Sequence, residues 1–190
     1  ISHAVFTKNK VIAAPLIVSK EIIKKNQIKG IIVNSGNANA CTGDEGIRNV
    51  KSVINQAAKV SGLPKNNFFI SSTGIIGEQL DVKKINTKLS KLFKDAKPNK
   101  SVDFAEAIRT TDKYIKIESK KIKIGNKTGT LLGIAKGAGM IHPNMATMLC
   151  YLITDIKINK STFKKFINYA TKNSFNSISV DGDTSTNDTV

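Results

Sequence analysis

The 190-residue chain is 40% hydrophobic and 23% charged, the balance of a globular protein large enough to bury a core in one or two domains. Its formal net charge is +16, yet all but two of its 30 basic residues are lysine; arginine is the residue for bidentate base and phosphate contacts, so this scattered lysine excess argues against nucleic acid as the partner. No apolar run reaches the roughly 18 residues of a membrane span, no secretory leader is visible, and two distant cysteines (Cys41, Cys150) with only His3 and His142 offer no metal-ligand pattern and fit a reducing, cytoplasmic setting.

Residues 2–7 (SHAVFT) alternate as a short strand does. Residues 14–25 (APLIVSKEIIKK) space their apolar positions for a helix, and Gly30-Ile31-Ile32-Val33 is a β-branched run typical of a buried strand. The following NSGNANACTGDEG (34–46) is rich in Gly, Asn, Ser and Thr and reads as a loop. It lacks the lysine of a P-loop and the GxGxxG spacing, so it is a connector or a ligand loop, not a nucleotide site. Beyond it Ile47, Val50, Ile54, Ala57 and Ala58 form one helical stripe, closed by Gly62 with Pro64 after it.

The segment 68–74 (FFISSTG) reads as a strand ending in hydroxyls and a glycine. Thr73-Gly74 there expose backbone N–H groups and a hydroxyl at one point, the material of an oxyanion hole, although Ser-Thr-Gly is also common turn sequence. Asp81 is placed to cap a helix with Val82, Ile85, Leu89, Leu92 and Phe93 on one face, broken by Pro98-Asn99. A short helix over 103–109 leads to Thr110-Thr111-Asp112. Segments 113–119 and 121–137 alternate with period two, and turn chemistry at Asn126 and Thr128-Gly129 predicts antiparallel sheet.

The chain is organised around KGAGMIHPNMATMLCYLITD (136–155), where Asn144-Met145-Ala146-Thr147 precede an apolar strand over 148–153. Taken locally, Thr147 is an ordinary strand residue. A threonine hydroxyl becomes a nucleophile only beside a base; a chain cut just before Thr147 would supply one, because a free α-amine titrates near ~7.7–8.0. Lys136 is either a strand-end lysine facing water or an ammonium that holds a substrate carboxylate and lowers that amine's pKa. Ser161 or Thr162 caps a helix with Phe163, Phe166, Ile167 and Ala170 inward. The end, SISVDGDTSTNDTV (177–190), reads as a strand and then an acidic, hydroxyl-rich loop; Asp181 and Asp183 lack the EF-hand spacing and its closing Glu.

Five blocks occur in order: GNANACTG (36–43), SSTGIIGE (71–78), TTD (110–112), AKGAGMIHPNMATML (135–149) and SVDGDTSTNDTV (179–190). Together they resemble the bifunctional ornithine acetyltransferase / N-acetylglutamate synthase family of arginine biosynthesis, over nearly the whole chain. The resemblance implies an α/β (α+β) protein with mixed, largely antiparallel sheets packed with helices, in an N-terminal-nucleophile-like autoprocessed acyltransferase fold. It implies self-cleavage between Ala146 and Thr147, so that 1–146 belongs to an α chain and 147–190 opens a β chain. Thr147 would be the nucleophile, Thr73 and Gly74 the oxyanion hole, and Thr110, Lys136 and Thr147 the substrate contacts, with Thr111 and Asp112 less directly involved. The implied reaction moves acetyl from N-acetylornithine to glutamate by a ping-pong route, with acetyl-CoA as a second donor in some members, no resident cofactor and no metal. The implied assembly is a heterotetramer of two α and two β chains.

Family members are about twice as long. The lack of an initial Met and the stop inside NDTV therefore suggest a piece of a longer protein, with an incomplete pocket. The competing reading is a related self-cleaving aminopeptidase or amidase, which differs in taking water as acceptor where the transferase takes glutamate. A third, a basic binding protein, predicts salt-sensitive nucleic-acid binding and no cleavage.

Overall fold

A computed structural model describes residues 1–25, 28–142 and 148–190. They divide into two units, 1–2 with 9–101 and 3–8 with 102–190. In the first unit the β-branched run opens β1 (Gly30–Asn37), which pairs in parallel with β2 (Phe68–Ile75) from Gly30↔Phe68 to Gly36↔Gly74. Parallel neighbours need a crossover, and α2 (Gly43–Ser61) supplies it, burying Val50, Val53, Ile54 and Ala57. Gly62 ends α2 as its position predicts, with φ 72° and its N–H on the Ala58 carbonyl at 2.9 Å.

α1 (Ala14–Lys24) packs on β2 and against α2, sharing one core with it. Its buried Ser19 hydroxyl donates to the Ile70 carbonyl (2.8 Å) and accepts the Ile70 N–H (3.0 Å). One serine thus satisfies an edge position of β2 that no third strand pairs. Asp81 caps α3 (Val82–Asp95) through the Lys84 N–H at 2.9 Å. Leu89 and Phe93 reach the core, Phe93 edge-on to Phe68 at 5.9 Å, but Leu92 is mostly exposed, contrary to the stripe drawn from its spacing.

The second unit holds α4 (Ser101–Ala107) and an antiparallel sheet of β3 (Lys116–Ile124), β4 (Lys127–Lys136) and β5 (Leu149–Thr154), in that order. The hairpin turns at Gly125-Asn126, where Gly125 has φ 58° as a primed turn requires. Thr128 and Gly129 are ladder residues of β4, not turn residues.

Four further local expectations fail. Asn159, not Ser161 or Thr162, caps α5 (Lys160–Asn173): its extended backbone lets the side chain accept the Thr162 N–H at 2.9 Å. Phe166 and Ala170 of α5 lie exposed, while Thr171 is buried. Residues 2–7 form a single bridge instead of a strand, Phe6↔Thr189, and 177–180 form no strand at all. Among the described residues the fold is therefore mixed α+β, largely antiparallel, in two sheets. No helix among the described residues is long and apolar enough to cross a membrane.

Candidate active site

In the first unit the structure places Thr73 and Gly74 near the end of β2, Thr73 buried and Gly74 exposed. Gly74 has φ 133°, sits opposite Gly36 (φ 99°), and precedes a bulge at which Asn37 pairs with both Ile75 and Thr73. The GNANACTG block holds this strand end in place. Asn37 donates to the Glu78 and Gln79 carbonyls (3.1 and 3.3 Å), the Ala38 N–H reaches the Ile75 carbonyl (2.8 Å), and the Gly77 N–H reaches Ala40 (2.9 Å). Fully buried Asn39 accepts the Thr42 hydroxyl (2.8 Å) and donates to the Gly46 carbonyl (3.1 Å). The loop is therefore a clamp between β1, α2 and the Thr73–Gly74 end, a scaffolding role that glycine-rich composition alone does not disclose.

The second unit brings Thr110 and Lys136 together. Lys136, the last residue of β4, is only 2% exposed, and its ammonium donates to the Thr110 hydroxyl at 2.7 Å. The water-facing reading of this lysine does not hold. Burial lowers its pKa first and foremost and nearby Lys116 adds to that, while Asp112 and Asp188 pull the other way. Thr111 is exposed.

Asp112 is buried and organises the cluster: its carboxylate accepts the Gly137 N–H at 2.7 Å and pairs with the Lys116 ammonium. Burial alone would raise its carboxyl. The Lys116 bond, the Gly137 N–H and the charges of Lys116 and Lys136 outweigh it and hold the pKa below the ordinary value. Asp112→Ala would orphan the Gly137 N–H and leave buried Lys136 without its nearest balancing charge. It is expected to cost about 3 kcal/mol in denaturant unfolding of the full-length protein. Asp112→Asn, which keeps an acceptor for Gly137, should cost less.

Ala146 and Thr147, the expected cleavage pair, lie outside the described residues. The backbone on either side of 143–147 is held by two aspartates of the final block. Upstream, Asp181 accepts the N–H groups of Met140 (2.6 Å) and Ile141 (2.9 Å); these bonds, the Met140 one foremost, lower its pKa. Its carboxylate is thus committed to backbone. Downstream, Asp188 accepts the Met148 N–H at 2.7 Å and Thr189 donates to the Met148 carbonyl at 2.9 Å. Sequence alone points to neither role; the occurrence of SVDGDTSTNDTV in order with the other four blocks is the available signal. Among the described residues no cluster of three or more His, Cys, Asp and Glu could hold a metal. Buried Cys150 is a core residue of β5, its thiol pushed up to about 12 by desolvation.

This arrangement has known counterparts. The ArgJ family matches residues 1–190. The arginine biosynthesis bifunctional protein ArgJ of Thermotoga neapolitana is 49% identical over 188 residues, covering 98% of this chain and 47% of that protein. The mitochondrial ArgJ of Dictyostelium discoideum is 48% identical over 190 residues, covering 98% of this chain and 42% of that protein. The chain thus spans about half the length of the curated relatives it matches. Among solved structures, the bifunctional ArgJ of Bacillus halodurans superposes with a TM-score of 0.67 at 38% identity, over 77% of this chain and 76% of that one. The ornithine acetyltransferase of Mycobacterium tuberculosis, solved with ornithine, gives 0.64 at 25% identity, over 80% and 77%. Matched from its first residue to its last, and sharing the fold of these structures, the chain belongs to the ArgJ family.

Proposed function

We propose that this chain carries the self-cleavage site and part of the active site of an acetyltransferase that moves acetyl from N-acetylornithine to glutamate in arginine biosynthesis. The observation that carries the reading is Lys136, a buried ammonium held by Thr110 at the end of the strand that runs into the NMAT segment. A buried ammonium, which desolvation disfavours, is stabilised by an anionic ligand, and the substrate's α-carboxylate is such a ligand. The family membership and the two ArgJ-type structures support the same reading.

In this mechanism the Thr147 hydroxyl attacks the Ala146 carbonyl, the acyl group shifts from nitrogen to oxygen, and water hydrolyses the ester. The freed α-amine then takes the hydroxyl proton as Thr147 attacks the acetyl carbonyl. Thr73 and Gly74 stabilise the oxyanion, the α-ammonium returns its proton to the departing ornithine amine, and acetyl-Thr147 passes its acetyl to the amine of glutamate. Acetyl-CoA serves as a second donor, and no resident cofactor takes part.

Cleavage divides the chain into 1–146 and 147–190, yet β4–β5 pairing from Leu131↔Thr154 to Lys136↔Leu149 crosses the cut, as do the bonds Val5–Val190 and Thr7–Asp188. The α and β chains are therefore expected to co-elute under native conditions and to part only in denaturant. The assembly we expect is two α and two β chains, in the cytoplasm.

The test is intact mass of the full-length protein mixed with N-acetylornithine without glutamate. An acetyl adduct on the β chain, discharged by glutamate to N-acetylglutamate, is the expected result. An adduct that discharges to acetate at the same rate with or without glutamate would instead favour the amidase reading, and no adduct would refute the acyl-threonine route.

A further inference from the structure

We propose that Asp112 is a positioning residue for substrate binding: its buried carboxylate is the counter-charge that keeps the Lys136 ammonium protonated, and Lys116, which shares that carboxylate, limits how much of it Lys136 feels. This rests on the reading above, in which Lys136 holds the substrate's α-carboxylate. Two segments clasp one another here. The Lys136 ammonium donates to the Thr110 hydroxyl at 2.7 Å. Two residues after Thr110, the Asp112 carboxylate accepts the N–H of Gly137, the residue after Lys136, also at 2.7 Å. Asp112 is held from two further sides: Arg109 donates to its carbonyl at 2.9 Å, and the Lys116 ammonium of β3 pairs with the same carboxylate oxygen that takes Gly137. The other carboxylate oxygen is buried with no hydrogen-bond partner.

Hydrogen bonding alone calls for no acid at this position. An asparagine would accept the Gly137 N–H without leaving a charged oxygen unpartnered in a dry site. What asparagine would not supply is negative charge. Burial disfavours the Lys136 ammonium first of all; Asp112 opposes that most strongly, Lys116 adds to it, and Asp188 opposes it more weakly. Asp188 is also the less constant partner. Burial pushes its carboxyl up to about 7, so it is only partly ionised near neutrality, whereas Asp112 is held below the ordinary value and stays charged. Of the other titratable groups close by in the chain, Arg109 is engaged with Glu106 and the Asp112 carbonyl, and Lys113 and Tyr114 lie exposed. β5 brings Tyr151 and Cys150, the latter with its thiol pushed up to about 12.

Only the charged form of Lys136 attracts a carboxylate, so substrate binding weakens as pH rises through the Lys136 pKa. Removing the Asp112 charge lowers that pKa. Removing the Lys116 charge raises it, because a repulsion goes and Asp112 is left to Lys136. Neighbouring substitutions thus act with opposite sign, whereas a cluster that served only the fold would be damaged alike by both.

The test is the pH dependence of kcat and KM for N-acetylornithine, measured on the full-length wild type, Asp112→Asn, Lys116→Met and Lys136→Met, with thermal melts of each. The alkaline limb of kcat/KM reports groups of the free enzyme and substrate; the substrate's own amine titrates alike in every variant, so differences between them belong to the protein. Asp112→Asn should move that limb down by about one pH unit and raise KM about tenfold above it, with kcat little changed and KM returning to the wild-type value at lower pH. Lys116→Met should move the limb up. A limb unmoved in either variant, or moved the same way in both, overturns the proposal. Should Asp112→Asn fail to fold or to cleave, the direction of the shift in Lys116→Met decides. Lys136→Met separates the two failures. A raised KM there with unmoved limbs in the other variants sinks this proposal alone, and a wild-type KM there removes the carboxylate-binding role of Lys136 as well.

Discussion

Thr147→Ala in the full-length protein is expected to leave one uncut chain and to lower acetyl transfer by at least roughly 10⁴-fold, the scale on which removal of a covalent nucleophile acts. The substitution removes one hydroxyl and one methyl group from a single side chain. The neighbouring backbone is held independently of it, by Asp181 on Met140 and Ile141 and by Asp188 and Thr189 on Met148. The variant should therefore melt like the wild type while losing both reactions together. Thr147→Ser separates chemistry from shape: it keeps the hydroxyl and drops a methyl, so cleavage should persist at a reduced rate. Intact mass and the N-acetylornithine-to-glutamate assay read both. An alanine variant that is cut like wild type would remove Thr147 from the mechanism, and with it the α-amine as base.

What could be read along the chain was what depends on neighbours close in sequence. The α2 stripe, its Gly62 cap, the Asp81 cap of α3 and the β3–β4 hairpin follow from periodicity and local hydrogen bonding, and they stand as expected. The composition of Ser-Thr-Gly also placed Thr73 and Gly74 near a strand end. What escaped depends on partners far along the chain. The segment 185–189 is buried because Val5 and Thr7 bind it and Val190 from one side and Met148 and Cys150 from the other. No window of a few residues contains those contacts, so hydroxyl- and acid-rich composition read as a loop. Lys136 looked like a surface lysine for the same reason: its burial, the Thr110 contact and the balancing Asp112 come from residues more than a strand away. The role of Asp188 could not be inferred without its depth, since an exposed aspartate after Asn187 would be unremarkable.

Gly74→Ala is expected to destabilise the protein by more than about 4 kcal/mol, the largest stability effect of any single methyl added here. Two costs add. At φ 133° the backbone lies where only glycine is comfortable, and a Cβ would sit 2.2 Å from the Gly36 carbonyl carbon and 2.5 Å from the Asn37 nitrogen. Both obstacles are backbone, so no side-chain rotation relieves them; β1 and β2 must part at the bulge. Gly36→Ala provides the control. Its φ of 99° carries strain, but nothing lies within 4 Å of its Cβ, so it should cost only the conformational part, about 1–3 kcal/mol. The order Gly74→Ala well above Gly36→Ala, measured by denaturant unfolding of full-length protein, tests the close approach itself. It bears on function because alanine keeps the N–H of residue 74. Any loss of transfer beyond the folded fraction then reports displacement of the N–H proposed as oxyanion donor, not its removal, as an oxyanion hole built on fixed backbone requires. Equal stabilities for the two variants would mean the strand ends separate freely, and the Thr73–Gly74 end would have no rigid support for that task.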